Sequence, residues 1–353
     1  MSMYRSGLGI GILILGLLVA SACTEAPEPS PWQAQAASTD ASFRDVFFLD
    51  QQRGWLVGGG YPIEGGILGE TRDGGASWVF RTGLVAKPGS RLYSLRAIHF
   101  PDSTHGVIAA SDGWILRSVD GGEHWHRVLH AGRTLSALFF LPDELSGERA
   151  RNEGWAVGEG WVLRTTDGGA SWERMNPHEG PDQAFRALDV HFLDRWRGWL
   201  VGHHGRVRST SDAGKSWQST QVPEFVDGLR LNAVTFSDAE HGWIVGEAGS
   251  ILHTRDAGQS WTRQESPVVA TLTDVAFPSA EQGWIVGHSD GGGRSTILTS
   301  RDLGETWVEE AVVEGEALES LFFHRDGRGW AVGERSRRRP QRLLRYAPPP
   351  PLP

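Results

Sequence analysis

The chain has 353 residues, a formal net charge of −9 at pH 7, one cysteine, 46 glycines and 16 tryptophans. An acidic balance of this size disfavours a general nucleic-acid-binding surface, and a single cysteine excludes an intramolecular disulfide framework. The sequence also lacks zinc-finger spacing, an RNA-binding signature and a glycine loop of the kind that cradles phosphate.

The N-terminal residues are predicted to direct export of the chain. Arg5 precedes an apolar stretch at residues 8–19, and three small residues then lead to Cys23. Secretory signals have this layout, and small residues directly before a cysteine resemble a bacterial lipobox, in which the cysteine becomes the lipidated first residue. We therefore predict a lipoprotein signal peptide over residues 1–22 and a Pro-rich, acidic tether over residues 23–31. An ordinary cleaved signal or an uncleaved anchor, with Cys23 incidental, is the alternative.

A phrase of eight residues, Ser/Thr-x-Asp-x-Gly-x-x-Trp, recurs six times at a spacing of 44 to 47 residues. The copies begin at Thr71, Ser118, Thr165, Thr210, Thr254 and Ser300. This pattern is the Asp-box, or BNR repeat, and a period of about 45 residues indicates a propeller or a solenoid. Within each copy the aspartate suits a tight turn, the glycine permits a positive φ, and the tryptophan gives the next strand an apolar start.

The six aspartates of these boxes are candidates either for a structural role or for a carbohydrate or ion site. They are Asp73, Asp120, Asp167, Asp212, Asp256 and Asp302. Catalytic residues rarely recur once in every repeat, so we predict that these aspartates hold their turns.

A second phrase, Gly-Trp-x-Val-Gly, also recurs through the chain. It begins at Gly54, Gly154, Gly198, Gly242, Gly283 and Gly329, and residues 106–110 are a degenerate copy. A short apolar run lies upstream of every copy, and a further apolar segment lies downstream. We letter the four predicted strands of a repeat A (the apolar run), B (Gly-Trp-x-Val-Gly), C (the segment before the box) and D (starting at the box tryptophan).

The count of these strands predicts how the fold closes. There are seven strands of types A, B and C but six of type D, because no box follows the last strand C at residues 342–346. The segment at Trp32 resembles the start of the other D strands, and completing the last blade with it removes an exposed sheet edge. We therefore predict an all-β fold, a seven-bladed β-propeller of four-stranded antiparallel blades closed by the N-terminal strand joining blade 7. The propeller would span residues 32–346, and residues 347–353 would form a Pro-rich tail.

The longest predicted loops lie in one sector of one face. The D–A and B–C connections of a propeller share a face, and the long B–C loops are residues 58–66, 288–295 and 334–341. These belong to blades 1, 6 and 7, which are neighbours in a closed ring. Binding surfaces of repeat folds commonly form where such insertions gather.

This sector carries a basic patch on an otherwise acidic chain. Its arginines are Arg294, Arg335, Arg337, Arg338, Arg339 and Arg342. Guanidinium groups bind carboxylates and phosphates in a bidentate geometry, so the predicted counterpart is an acidic or extended peptide segment or a lipid headgroup. A solvated loop near the C-terminus is the alternative.

Other polar residues carry weaker signals. His124 and His126 share a face of one predicted strand, but no acidic or cysteine partner has metal-ligand spacing, so no metal site and no cofactor are predicted. Glu159, Glu247 and Glu334 follow the second phrase in three repeats, and this repetition favours structure over catalysis.

The complete pattern resembles the photosystem II stability and assembly factor family of cyanobacteria, plastids and related bacterial proteins. GWLVG at residues 54–58, GILGETRDGGASW at residues 66–78 and PWQ at residues 31–33 are its most specific parts. The resemblance implies a non-enzymatic propeller in the periplasm or thylakoid lumen that binds a newly made membrane subunit during complex assembly. It also implies that an Arg-rich surface binds the partner, and the arginines of blade 7 are the nearest equivalent here. We accordingly expect an exported, membrane-anchored, monomeric lipoprotein.

A glycoside hydrolase is the rival interpretation, because Asp-boxes also occur in sialidases and some endoglucanases. Sialidases resemble six-bladed rings with an arginine triad and a Tyr–Glu pair, whereas this chain has only four tyrosines and no matching segment. Glycoside hydrolysis would need two carboxylates roughly 5–9.5 Å apart across a cleft, and the sequence does not place such a pair.

Overall fold

The computed structural model describes residues 30–36, 39, 41–60, 63–84, 94–142, 152–175, 185–289, 293–335 and 342–347. Cys23, the predicted signal peptide, most of the tether and most of the predicted tail lie outside these residues. The described residues form seven four-stranded antiparallel sheets, arranged in chain order as the blades of a propeller. The predicted fold class is therefore confirmed.

The strands of each blade follow one another outward from the central axis. The first strand in the chain, β1 (Trp32–Ala36), belongs to the last blade. Blades 1 to 3 contain β2 (Ser42–Phe48), β3 (Gly54–Gly60), β4 (Ile63–Thr71) and β5 (Val79–Thr82); β6 (Leu95–His99), β7 (Gly106–Ala110), β8 (Trp114–Ser118) and β9 (His126–His130); and β10 (Leu135–Phe140), β11 (Gly154–Gly158), β12 (Trp161–Thr165) and β13 (Glu173–Met175). Blades 4 and 5 contain β14 (Ala187–Phe192), β15 (Gly198–Gly202), β16 (Val207–Thr210) and β17 (Gln218–Thr220); and β18 (Leu231–Phe236), β19 (Gly242–Gly246), β20 (Ile251–Thr254) and β21 (Thr262–Gln264). Blades 6 and 7 contain β22 (Thr271–Ala276), β23 (Gly283–His288), β24 (Arg294–Ser300) and β25 (Val308–Glu314); and β26 (Glu316–Phe323), β27 (Gly329–Arg335), β28 (Arg342–Tyr346) and β1.

Helical structure in the described residues consists of short 3₁₀ turns. They span His203–Gly205, Glu224–Val226 and Glu247–Gly249. None of the helices in this part of the chain has the length and apolar character that crossing a membrane requires.

The N-terminal strand closes the ring, as the strand count predicts. β1 pairs antiparallel with β28 and places Trp32 opposite Tyr346. Trp32 is buried against the rings of Phe323 and Tyr346. Its indole N–H donates to Glu310 of blade 6 at 2.9 Å. The closing strand therefore completes blade 7 and also contacts the preceding blade.

A tryptophan–phenylalanine contact joins one blade to the next at six interfaces. The tryptophan of strand B lies against the phenylalanine at the end of strand A in the following blade, with ring centroids 3.5 to 4.5 Å apart; five pairs are stacked, and Trp199 and Phe236 are tilted by 38°. The pairs are Trp55 with Phe100, Trp155 with Phe192, Trp199 with Phe236, Trp243 with Phe277, Trp284 with Phe323 and Trp330 with Phe48. Blade 2 has Val107 at the tryptophan position, because its copy of the second phrase is degenerate.

The box aspartates make their hydrogen bonds inside their own turns. One carboxylate oxygen accepts the backbone N–H of the residue four positions later at 2.8 to 3.0 Å. It also accepts the hydroxyl of the residue two positions earlier at 2.7 to 2.8 Å. Although partial burial acts in the opposite direction, these hydrogen bonds lower the pKa of all six carboxyls. These oxygen contacts of the six aspartates thus lie within their own turns, and the turn-holding role stays the prediction made for them.

A β-bulge near the start of every strand A turns one residue towards the central axis. In blade 1 the register shifts between Phe43 and Asp45, which leaves Arg44 out of the ladder. The last glycine of the second phrase is required here, since a Cβ at Gly58 would lie 2.0 Å from the carbonyl oxygen of Ser42. The residues turned inward around the ring are Arg44, Arg96, Ser136, Leu188, Asn232, Thr273 and Glu319.

Candidate functional site

The inward-turned residues line a cavity on the central axis of the ring. The cavity has a volume of about 920 Å³, and strands A of all seven blades form its walls. Its rim contains residues directly before strands A, such as Thr134 and Arg230, and residues directly after strands B, such as Glu159 and Glu247. The cavity therefore opens on the face of the D–A and B–C connections, which we name the mouth face. The opposite face, with the A–B connections and the Asp-boxes, is named the box face.

The floor of the cavity is aromatic. Phe47 lies 4.7 Å from His99 and 5.4 Å from Phe322, measured between ring centroids. Burial lowers the pKa of His99 to about 4, so its imidazole is neutral at pH 7. The charges that a ligand would meet therefore lie on the walls and the rim.

Three arginines of the rim form ion pairs. The pairs are Arg44 with Glu319 at 3.4 Å and with Glu334, Arg186 with Glu159 at 3.7 Å, and Arg230 with Glu247 at 2.7 Å. Three of these acids, Glu159, Glu247 and Glu334, are the glutamates that follow the second phrase. Their repetition favours a structural role over a catalytic one. Each of them partly neutralises an arginine at the mouth.

Arg96 differs from these arginines, because the described residues provide no ion pair for it. The bulge of blade 2 turns it into the cavity beside Arg44 of blade 1. Its Nε is buried and has no hydrogen-bond partner in the described part of the chain. Burial lowers the pKa of Arg96 and the charge of Arg44 lowers it further, while the charges of Glu319, Glu334 and Glu159 act in the opposite direction; a guanidinium stays charged in proteins. The cavity thus contains a cation that an entering anionic group could neutralise.

Three aspartates below the rim connect neighbouring blades. Asp45, Asp189 and Asp274 each directly follow an inward-turned residue. Their carboxylates accept backbone N–H groups from strand A of the next blade, namely from Ile98 at 2.8 Å, Val234 at 2.9 Å and Leu321 at 2.9 Å, respectively. Burial raises the pKa of Asp45 and Asp189 to about 7 and that of Asp274 to about 6. The charge of Asp274 contributes to the raised pKa of the other two.

These raised pKa values predict a stability that falls as the pH rises. The folded chain retains protons that the unfolded chain releases, so this contribution is complete below pH 4 and is lost between about pH 4 and pH 7. A variant with Asp45, Asp189 and Asp274 all changed to Asn is expected to be more stable than the wild type at pH 8. We expect about 2–4 kcal/mol in total, well below the full value of the shifts because the cavity admits water. Urea unfolding at pH 8 and pH 5 measures it, and the advantage should shrink at the lower pH.

The box aspartate Asp212 is the control, because its replacement should change the free energy of unfolding in the opposite direction. Its pKa is lowered by the hydrogen bonds of its turn despite some burial, so its contribution is present above pH 4 and is lost on acidification. Asp212→Asn should therefore destabilise the protein at pH 8. A triple asparagine variant that is less stable than the wild type at pH 8 would contradict the assignment of raised pKa values.

The predicted basic patch is described only in part. Arg294 begins β24, is about half exposed, and forms an ion pair with Glu309 at 3.5 Å. Arg335 ends β27 and Arg342 begins β28, but their side chains lie outside the described residues, as do Arg337, Arg338 and Arg339 entirely. The patch therefore stays a prediction.

The predicted loops of blades 1 and 6 are shorter in the structure, because the flanking strands continue into them, and residues 336–341 of the third loop lie outside the described residues. Gly60 pairs with Ile63 in blade 1, and His288 pairs with Ser295 in blade 6. His288 and Glu334, which lie at the base of two of these hairpins, also line the cavity. The loop sector and the cavity rim therefore adjoin each other.

Sequence reasoning missed the cavity residues, although a signal for them was present. Every strand A has the same order, an apolar residue, then a variable one, then a small or acidic one, as in Phe43, Arg44 and Asp45. Polar residues within an otherwise apolar run mark the inward-turned position. The alternation of apolar and polar residues does not reveal a bulge, and it is the bulge that turns this residue of strand A towards the central axis.

The described residues contain no group of three or more His, Cys, Asp or Glu side chains that could hold a metal ion. His124, one of the two histidines considered from the sequence, contacts the box aspartate Asp120 at 2.7 Å.

Solved structures share this fold. A structure named YCF48 bound to D1 peptide is 22% identical, with a TM-score of 0.69, and the match covers 92% of this chain and 97% of that one. YCF48 from Cyanidioschyzon merolae is 20% identical, with a TM-score of 0.67 and coverage of 90% and 98%. An ancestral GH74 enzyme is 13% identical, with a TM-score of 0.54 over 67% of this chain and 34% of that one. At these identities the likeness concerns the fold alone.

Sequence comparison is more specific. The photosystem II assembly lipoprotein Ycf48 of Synechococcus sp. (strain CC9902) is 34% identical over 141 residues, which are 39% of this chain and 36% of the relative. The photosystem II assembly protein Ycf48 of Thermosynechococcus vestitus is 37% identical over 75 residues, 21% of this chain and 20% of the relative. The chain thus matches about a third or less of the length of these curated relatives. The family model described as photosynthesis system II assembly factor YCF48 matches residues 24–133, 94–181 and 180–266. These overlapping matches cover more than half of the chain, which therefore belongs to the YCF48 family of photosystem II assembly factors.

Proposed function

We propose that the protein is a non-enzymatic assembly scaffold that holds a carboxylate-bearing, extended segment of a membrane-protein partner at its mouth face. It would be exported and held at a membrane through a lipid on Cys23, facing the periplasm, or the thylakoid lumen in a photosynthetic host. Family membership and the naming of several relatives as lipoproteins support this proposal.

The observation that carries the proposal is the charge state of the cavity. Arg96 is a partly buried cation without an ion pair among the described residues, whereas Arg44 beside it is paired with Glu319 and Glu334. Guanidinium groups bind carboxylates in a bidentate geometry, and such contacts gain strength where water is partly excluded. A cavity of about 920 Å³ lies within the range of ligand pockets. A peptide carboxylate is therefore the ligand group that fits the cavity best.

The loop sector of blades 6, 7 and 1 would extend this contact beyond the cavity. Its hairpins rise from the rim at His288 and Glu334. An extended segment that reaches Arg96 would leave the mouth across these hairpins, where Arg294, Arg335, Arg337, Arg338, Arg339 and Arg342 are the proposed additional contacts. The relative solved with a D1 peptide supports a peptide as the class of ligand.

The cavity carboxylates favour a scaffold over a hydrolase. Asp45, Asp189 and Asp274 each accept a backbone N–H group of the neighbouring blade, which is a structural use of the carboxylate oxygens. The hydrolase alternative predicts sugar release from a panel of glycans that is lost when one of these aspartates is removed.

Peptide selection tests the proposed ligand class. A random library of short peptides is selected on the protein, and the affinity of an enriched peptide is then measured by fluorescence anisotropy. We expect enrichment of Asp, Glu or a free C-terminal carboxylate. Arg96→Glu should weaken binding by at least about tenfold, since a hydrogen-bonded charge contact contributes about 1.5–3 kcal/mol. Because Glu319, Glu334 and Glu159 lie near position 96, Arg96→Gln, which removes the charge without adding a negative one, is measured beside Arg96→Glu and should weaken binding in the same direction.

Arg255→Glu is the matched control for charge reversal. Arg255 lies in an Asp-box on the box face and is about half exposed, in an ion pair with Glu305. Its reversal should change peptide affinity by less than about twofold, because exposed pairs contribute little. Equal binding by the wild type and Arg96→Glu would overturn the proposal.

A further inference from the structure

We propose that the box face lies against a lipid bilayer, with Trp196 and Leu303 inserted among the headgroups, while the mouth face points away from the membrane. The inference rests on the proposed membrane tether, but it concerns the face of the ring opposite to the partner site.

The chain enters the ring at the box face. Trp32 pairs with Tyr346, and Tyr346 pairs with Gly329 at the start of a strand B. Strands B start at the box face, so the residues before Trp32 leave the ring there. The nine residues 23–31 reach at most about 30 Å when fully extended. A lipid on Cys23 would therefore keep the box face within that distance of the bilayer.

Trp196 is exposed at a position where equivalent loops carry polar residues. It is 50% exposed at the tip of the A–B connection in blade 4. Its backbone N–H donates to Asp194 at 2.7 Å, which shapes the turn. The same hydrogen bond is made by Gln52, Thr104 and Glu240 in blades 1, 2 and 5. The turn therefore forms without a tryptophan, and the fold does not account for the exposed indole.

Leu303 is exposed in a backbone conformation that disfavours side chains. Its φ is 63°, and its side chain is 52% exposed. The equivalent residue of the other boxes is glycine or alanine, with φ between 56° and 71°. A leucine there costs about 1–2 kcal/mol, and an exposed side chain offers no burial in the core to offset that cost. Residues with strained backbone conformations are found mainly at functional sites, such as binding surfaces.

The exposed apolar side chains of the box face are spread around the ring, as expected for contact with a flat surface. Val119, in the box of blade 2, is 52% exposed on the same face. Blades 2, 4 and 6 thus each present an apolar side chain on this face, at steps of roughly 100°, 100° and 155° around a seven-bladed ring. A plane can contact all three tips at once, whereas one extended peptide would follow a single sector. Tryptophan also prefers the membrane–water interface.

The charges of this face point to neutral lipid. Arg195 lies over the ring of Trp196 at 5.1 Å and is paired with Glu153. Arg301, in the same box as Leu303, is paired with Glu310 at 3.4 Å. Both arginines are about half exposed or more, so they could contact lipid phosphates only in exchange for these partners. The hydrogen-bonded box aspartates keep their negative charges and would repel an anionic surface. Net-neutral phosphatidylcholine is therefore the bilayer to test.

Energy transfer to labelled vesicles reports which face lies nearer the membrane. The chain from residue 24 onward, which includes every described residue and no cysteine, carries an N-terminal histidine tag. Nickel-chelating lipid in phosphatidylcholine vesicles holds the tag, and an acceptor dye labels the lipid. A donor dye is attached at Glu240→Cys on the box face or at Val269→Cys on the mouth face; both sites are exposed and lie near blade 5. We expect transfer from position 240 to exceed that from position 269 by at least about twofold, given the height of a blade.

Replacing the two apolar tips separates insertion from tethering. Trp196→Ser with Leu303→Ser should reduce the difference between the donor positions by at least about half, because the tether at the box face then holds the ring without insertion and permits tumbling. Equal transfer from both positions in the wild type, or a difference of the same size in the double variant, would overturn the inference. Peptide binding in solution needs no vesicle, so the double variant should bind the selected peptide like the wild type. A failure of the membrane inference is thereby distinguishable from a failure of the proposed function.

Discussion

Replacing Trp243 with alanine is expected to destabilise the protein by about 3–5 kcal/mol. Trp243 is fully buried and stacks between His253, at a centroid distance of 4.6 Å, and Phe277 of blade 6, at 4.0 Å. Its indole N–H lies 3.3 Å from the carbonyl oxygen of Gly304 in the next Asp-box. Removing the ring would leave a cavity at a joint between two blades and would lose contacts to both. Urea unfolding followed by circular dichroism measures the effect.

Trp196→Ala is the control for this prediction, since Trp196 is half exposed and lies outside the joints. It should change the free energy of unfolding by less than about 0.5 kcal/mol. If Trp243→Ala were as mild as this control, the stacked pairs would not be the main contacts between blades.

Replacing Trp32 with alanine is expected to weaken closure of the ring by a similar amount, about 3–5 kcal/mol. Trp32 packs on Phe323 and Tyr346 and donates to Glu310, so its loss removes apolar and polar contacts of β1 together. Detachment of β1 would expose the edge of β28, and exposed edges promote association between chains. We therefore expect earlier urea unfolding and dimers or larger species in sedimentation velocity.

Gln33→Ala in the same strand is the matched control, because Gln33 is exposed. It should leave both the stability and the sedimentation profile of the wild type unchanged. A Trp32→Ala protein that is monomeric and as stable as this control would show that the N-terminal strand is dispensable for closure.

The architecture could be predicted from the sequence because its signals are repeated and local. The glycine and tryptophan of each repeat mark fixed points of a blade, and the absence of a seventh box indicated that Trp32 supplies the last D strand. The stacking of each strand-B tryptophan on the following blade could not be predicted, because it depends on the angle between blades. In blade 2, where Val107 replaces the tryptophan, the fold tolerates the loss of one stack.

The candidate site could be predicted only in part. Loop lengths indicated the face on which the cavity opens, but the predicted contacts were arginines in the loops and not Arg96, which lies within a strand. A residue in an apolar run is ordinarily assigned to one side of a sheet by alternation, and a bulge breaks that rule. Arg44 differs from Arg96 because it forms an ion pair. This pair joins Arg44 of blade 1 to Glu319 of blade 7, so it depends on ring closure and could not be read from the sequence.

Site-specific photo-crosslinking tests most directly whether the mouth face holds the partner. Benzoylphenylalanine is placed at Ser136, which lines the cavity, or at Thr104, which is exposed on the box face, and membranes of the source organism are irradiated with each protein. We predict a crosslink to a membrane protein from position 136 that disappears when Arg96 is changed to Glu, and no protein crosslink from position 104. Protein crosslinks from position 104 only, or crosslinks from position 136 that are unaffected by Arg96→Glu, would contradict the account.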